Sequence, residues 1–208
     1  MKKNGVPELR AERLSRMVLL LQDLIRSGKD QVTSSELGRY LGTSPSSVRK
    51  DLGAFTEGRT GSAYHTSLLL DRLKLGLNLE KDTRVCLVGL DLMGMALLNL
   101  LGLKGLGWKI VAGFDSRLNR LEQLDLDFPL YPTTEIAVVV ARMEIQTALI
   151  TSDPHEVQKL ADRLILGGIR GIINFSSAIL RQNRGNVIIQ DFSPASALTH
   201  MGHLLNLN

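Results

Sequence analysis

Apolar positions in the first eighty residues recur at three- and four-residue spacing, whereas beyond residue 83 they gather into short continuous runs. The two patterns predict two kinds of unit. Leu14, Met17, Val18, Leu21, Leu24 and Ile25 repeat with helical period and predict a long first helix with one buried face. Thr33-Ser-Ser-Glu36 has the spacing of a capping box, so a short helix follows through Tyr40. Gly42 then supplies a turn, Ser44 an N-cap and Pro45 a first helical residue that needs no N–H donor. A helix from Pro45 to Phe55 results, with Val48, Leu52 and Phe55 on its buried side. In Thr56–Tyr64, two glycines flank Arg59, as the turn of a β-hairpin wing requires. The order predicts a winged helix of about 75 residues, an ordinary domain size.

The later runs, Val85–Val88, Ile110–Phe114, Ile145–Ile150, Gly171–Ile173 and Val187–Ile189, are separated by the helix-length segments Leu92–Leu101, Thr134–Arg142 and Pro154–Leu166. Such alternation predicts an α/β unit with a doubly wound parallel sheet buried on both faces. Ser193-Pro194 then opens a last helix with Leu198, Met201, Leu204 and Leu205 in one stripe. That stripe must bury on its own domain or on a second copy. The expected domains are 1–80, 81–192 and 193–208.

Charge separates the units further. Residues 1–80 hold 13 Lys+Arg against 9 Asp+Glu, and 81–208 hold 12 of each, so the whole net charge of +4 sits in the first unit. A basic helix-turn-helix is a DNA-binding footprint. Ser46, Ser47, Arg49 and Lys50 fall away from the buried side of the second helix, near the start that enters the major groove, where Arg pairs with guanine and Ser with base edges or phosphate. Arg59 in the wing reaches a phosphate or the minor groove. The plainer alternative is a solvated basic face.

The second unit carries a degenerate dinucleotide loop. The G-x-G-x-x-G of such loops reads Gly89-Leu90-Asp91-Leu92-Met93-Gly94. Its middle glycine lets the backbone approach a pyrophosphate, and Asp91 puts bulk and negative charge there. At an effective dielectric near 20, charges about 4 Å apart repel by roughly 4 kcal/mol, about a thousandfold in affinity. Asp115, about 20 residues on at the end of the second strand, is placed to bond an adenosine ribose. Ser116 and Arg117 follow it, and Thr151 ends the third strand. With the loop they make the candidate cofactor-binding set. A sheet of this type that has lost its nucleotide is the alternative.

The two halves in this order resemble the Rex family of redox-sensing transcriptional repressors. Val6-Pro7-Glu8, Arg13-Leu14, Val48-Arg-Lys-Asp-Leu52, Gly61 to Tyr64, the Gly89 loop, Phe114-Asp115, Ile172-Ile-Asn-Phe175 and Asp191-Phe192 match nearly end to end. The resemblance implies a homodimer that binds a palindromic operator when NADH is scarce and releases it when NADH binds. It also implies that the last helix is exchanged with the partner subunit. Departures cluster at the sensor. The family's nicotinamide-reporting aromatic falls at Leu100, a basic partner for Asp191 falls at Leu19, and an acidic residue is replaced near Arg117. With Asp91 these mark a divergent member whose NADH response is weakened, altered or absent.

Three function classes stand: an NADH/NAD+-sensing regulator, a regulator blind to NAD or tuned to another nucleotide, and a dehydrogenase or CoA-type enzyme. The last ranks lowest, because about 110 residues leave no substrate domain for a catalytic acid or base. Cys86 alone offers neither disulfide nor metal set, and His200 with His203 lacks further ligands, so no metal is expected. The absence of an apolar run of about 18 residues points to the cytoplasm and away from a membrane.

Overall fold

The computed structural model of this 208-residue chain describes residues 8–56, 63–79, 83–100, 107–181 and 187–206. Val6, Pro7, Arg59, Gly61 and Leu101 lie outside them, as does the side chain of Leu100. Two compact units divide the chain, Met1–Glu80 and Lys81–Asn208.

In the first unit, α1 (Glu8–Arg26) buries Leu14, Met17, Val18, Leu21 and Leu24. Ile25, expected on the same face, is exposed, because it sits at the end of the helix where the packing runs out. Strand β1 (Gln31–Thr33) pairs antiparallel with β2 (Ala63–His65), and residues 57–62 of the expected wing lie outside the described residues. Helix α2 (Ser34–Leu41) begins with the capping box: the Glu36 N–H donates to Thr33 Oγ1 at 3.1 Å and the Thr33 N–H to Glu36 Oε2 at 2.8 Å. Gly42 closes it at φ 65°, a left-handed conformation that costs glycine little. Helix α3 (Pro45–Leu52) starts as expected on Ser44 but ends three residues before Phe55. Val48 and Leu52 are fully buried, while Phe55 lies in the following turn, half-buried, with its ring against Gly76. Helix α4 (Thr66–Gly76) packs on α1 through Leu69, Leu70 and Leu73. It was not foreseen, since leucines at 68, 69, 70, 73 and 75 blur any one-faced period.

The second unit runs β3 (Thr83–Val88), α5 (Leu92–Leu100), β4 (Trp108–Asp115), α6 (Leu118–Gln123), β5 (Leu130–Pro132), a 3-10 turn (Thr133–Glu135), α7 (Ile136–Arg142), β6 (Thr147–Ile150), α8 (Val157–Leu166), β7 (Gly171–Asn174), β8 (Ile188–Asp191) and α9 (Pro194–Asn206). Among the described residues all six strands of this sheet are parallel, in the order β5-β4-β3-β6-β7-β8, the Rossmann arrangement. The order reverses between β3 and β6, and a ligand crevice forms at such a switch point. Val88, Phe114, Ala148, Ile150 and Ile172 bury between the sheet and α7 and α8. The sequence reading passed over α6 and the three-residue β5, which are too short to show a period. Helix α8 begins at Val157 rather than Pro154, because Asp153 first holds a turn through the His155 N–H at 2.8 Å. No residue of α9 is buried. Among the described residues no helix is long and apolar enough to cross a membrane.

Candidate functional site

Helix α3 shows two faces. Val48, Asp51 and Leu52 point inward, and Ser46, Arg49 and Lys50 lie exposed, with Ser47 half-buried between them. The Ser44 hydroxyl organises the helix start: it accepts the Ser47 N–H at 3.1 Å and lies 2.9 Å from the hydroxyls of both Ser46 and Ser47. Arg49 donates through Nη1 to Ser34 Oγ of α2 at 2.9 Å. That bond uses one of five guanidinium donors and fixes the direction of the others. Asp51, a residue that sequence reasoning assigned no role, is buried and gripped by Arg13 from α1, with Arg10 Nη2 bonding its carbonyl at 2.9 Å. Arg10 and Arg13, three apart on one helix, were the available signal. At the foot of α2, Lys29 Nζ approaches Glu36 Oε1 to 2.6 Å and, with the Thr33 bonds, holds the Glu36 carboxyl at a pKa of about 2.

In the second unit a cleft of about 750 Å³ lies at the carboxyl ends of β3, β4, β6 and β7. From the expected set it brings together Gly89, Asp91, Met93, Asp115, Ser116, Arg117 and Thr151. Gly89 has φ 99°, and a Cβ there would meet Thr151 Oγ1 at 2.6 Å, so only glycine fits. Gly94 lies beneath the carbonyl of Gly89, which a Cβ would strike, so the third glycine allows close packing of α5. Leu90, Leu92 and Gly94 do not line the cleft. The Leu90 side chain joins the core, and Leu92 faces solvent. Further lining residues went unpredicted: Arg120, Thr133, Ser152–Glu156, and Phe175, Ser176 and Ser177. Most follow directly on β6 and β7, so the rule that ligands sit past strand ends would have found them.

Asp91 does what no glycine could. Its Oδ1 accepts the N–H groups of Met93 and Gly94, each at 3.2 Å, so the carboxylate caps α5. Those donors at the positive end of the helix are the ones a pyrophosphate would use. Asp115, only 3% exposed, turns back on the protein: Oδ1 accepts the Arg117 N–H at 2.9 Å, and Oδ2 accepts the Leu90 N–H and Arg120 Nη1, both at 2.8 Å. Burial works to raise its pKa, but the Arg117 and Leu90 amides and Arg120 together hold the carboxyl below its usual range. Thr151 Oγ1 donates to the Gly89 carbonyl at 2.8 Å, pinning the loop to β6.

Asp191 accepts from Asn174 Nδ2 at 2.7 Å inside its own unit, and Leu19 is an exposed leucine. Cys86 is fully buried, which pushes its thiol pKa far up and leaves it unreactive. No group of three or more His, Cys, Asp or Glu able to hold a metal occurs among the described residues.

Residues 5–53 match the family described as "Putative DNA-binding protein N-terminus" and 80–178 the one described as "CoA binding domain". The chain is 32% identical to the redox-sensing transcriptional repressor Rex of Listeria welshimeri over 83% of this chain and 81% of that one. To Rex of Chloroflexus aurantiacus it is 30% identical over 96% and 94%. Among solved structures, RSP, a Rex-family repressor, matches with a TM-score of 0.82 at 26% identity, covering 98% of this chain and 96% of that one. RSP in complex with beta-NAD+ and operator DNA matches at 0.83 and 26%, covering 98% and 94%. With the winged unit leading, the Rossmann unit following and relatives aligned over most of both, the chain belongs to the Rex family of redox-sensing transcriptional repressors.

Proposed function

We propose that this chain is a DNA-binding repressor, not an enzyme, that reads a palindromic operator as a homodimer in the cytoplasm where that DNA lies. The observation that carries the reading is α3. It presents Arg49 and Lys50 outward on a helix whose buried side is anchored through Asp51 to α1. Ser46, Ser47, Arg49 and Lys50 contact bases and phosphates in the major groove, and Arg59 supplies a wing contact. Residues 1–80 form the DNA-binding domain, 81–192 the nucleotide domain and 193–208 the exchanged dimerisation helix. The exposed stripe of α9 supports the dimer, and a two-fold protein suits half-sites about one helical turn apart. Selection from a random duplex pool tests this. An inverted repeat should be enriched, and a pool without any enriched sequence would overturn the reading.

The cleft is the effector site for a dinucleotide of the NADH/NAD+ kind. Gly89, Gly94 and the amides that open α5 fit such a ligand, and the Asp91 cap competes with it. Asp91 favours a second reading, in which the repressor responds weakly or not at all to NADH.

A further inference from the structure

We propose that the cleft selects adenosine nucleotides whose ribose carries an additional phosphomonoester, and that Arg117 is the selecting residue. The inference rests on the cleft being a nucleotide site and names the class it prefers. In a Rossmann sheet the residues at the end of the second strand face the adenosine ribose: a free carboxylate there bonds the ribose hydroxyls, and an arginine accommodates a ribose phosphate. Here β4 is that strand, and its carboxylate is not free. Both oxygens of Asp115 already accept protein donors, and the side chain is buried. Arg120, at 2.8 Å, neutralises the one negative charge beside which a ribose phosphate would otherwise sit.

What this corner of the cleft offers instead is Ser116 and Arg117, both exposed and both lining it. Among the described residues no side chain pairs with the Arg117 guanidinium. A guanidinium meets a phosphate in a two-pronged geometry that a hydroxyl pair cannot match. Apart from Asp115, the carboxylates of the cleft lie elsewhere, Asp91 in the glycine loop and Asp153 and Glu156 past β6. They oppose any anionic ligand, whereas Arg117 distinguishes between ligands that share a pyrophosphate.

NADH and NADPH differ only in the 2′-phosphate, so the repulsion from Asp91 cancels from the ratio of their affinities. Calorimetry on the full chain and on Asp91→Gly, with NADH, NADPH and coenzyme A, measures that ratio. NADPH should bind at least tenfold more tightly than NADH, and Arg117→Ala should bring the ratio near one while leaving the melting temperature unchanged. A preference for NADPH over NADH supports the assignment, and coenzyme A shows whether a 3′-phosphate is held as well. If NADH binds as tightly as NADPH, the role of Arg117 falls and the nucleotide site stands. If neither protein binds any of the three, both fall together.

Discussion

Arg13 holds the carboxylate of Asp51 with two donors, Nε 2.8 Å from Oδ2 and Nη2 3.2 Å from Oδ1, and so ties α1 to α3. The Asp51 side chain is 4% exposed and that of Arg13 31%. Removing the arginine strands a buried charge, which costs about 3–5 kcal/mol where both partners are buried. Because Arg13 is partly exposed and Arg10 remains nearby, Arg13→Ala should lower the midpoint of urea unfolding by less than the loss of a fully buried pair would. An unchanged midpoint would show that the pair does not hold α3 in place.

Arg49→Ala and Lys50→Ala should each weaken operator binding in gel shifts while the protein stays folded and keeps its oligomeric state. A base-contacting arginine carries about 1–3 kcal/mol, so the loss for Arg49 should be roughly five- to 150-fold. Equal affinity for both variants and the unmodified chain would move the reading surface away from α3.

Asp91→Gly should strengthen NADH binding tenfold or more, on the order of 1.4 kcal/mol, because it uncovers the amides that Asp91 now caps. The lost helix cap should cost only about a few tenths of a kcal/mol of stability in a thermal melt, because glycine is itself tolerated at a helix N-cap. Release from operator DNA need not return with binding, since the basic residue that the Rex resemblance implies as a partner for Asp191 is Leu19 here. Micromolar NADH binding by the unmodified chain, with release of operator, would make it an ordinary redox sensor.

Truncation before Ser193 should yield monomers or aggregates in light scattering, because Leu198, Met201, Leu204 and Leu205 are all exposed and need a cover. A well-behaved dimer of the shortened chain would exclude α9 from the interface.

The Glu36 carboxyl, lowered from 4.5 to about 2 by Lys29 and the Thr33 donors, makes stability depend on acid. A depressed carboxyl contributes fully above its unfolded pKa and loses that contribution as pH falls through the folded one. The window is therefore pH 4.5 down to about 2. Acid melts of Glu36→Gln should show a shallower loss across that window than the unmodified chain, and parallel curves would contradict the link.

Local chemistry was enough to read most elements. Thr33 with Glu36, and Ser44 with Pro45, set two helix starts, because caps act through residues within one turn. The alternation of apolar runs and helical segments led to the parallel sheet, since strands buried on both faces must be continuously apolar. The substitution at Asp91 was visible against the spacing of Gly89 and Gly94. Elements too short to repeat a pattern, such as Leu130–Pro132, left no such trace.

Side-chain partnership could be decided only by the tertiary structure. The spacing of Asp115 from the glycine loop suits a ribose ligand equally well whether its oxygens are free or committed. Only the folded loop brings the Leu90 and Arg117 amides and Arg120 onto that carboxylate and leaves Arg117 facing the cleft. Likewise Asp51 reads as one more charge in a basic helix until α1 packs against α3 and closes Arg13 over it. A sequence specifies which groups a segment carries, and periodicity tells which face they occupy. Whether a buried charge meets its partner depends on contacts 25 or 38 residues apart along the chain, which no local pattern encodes.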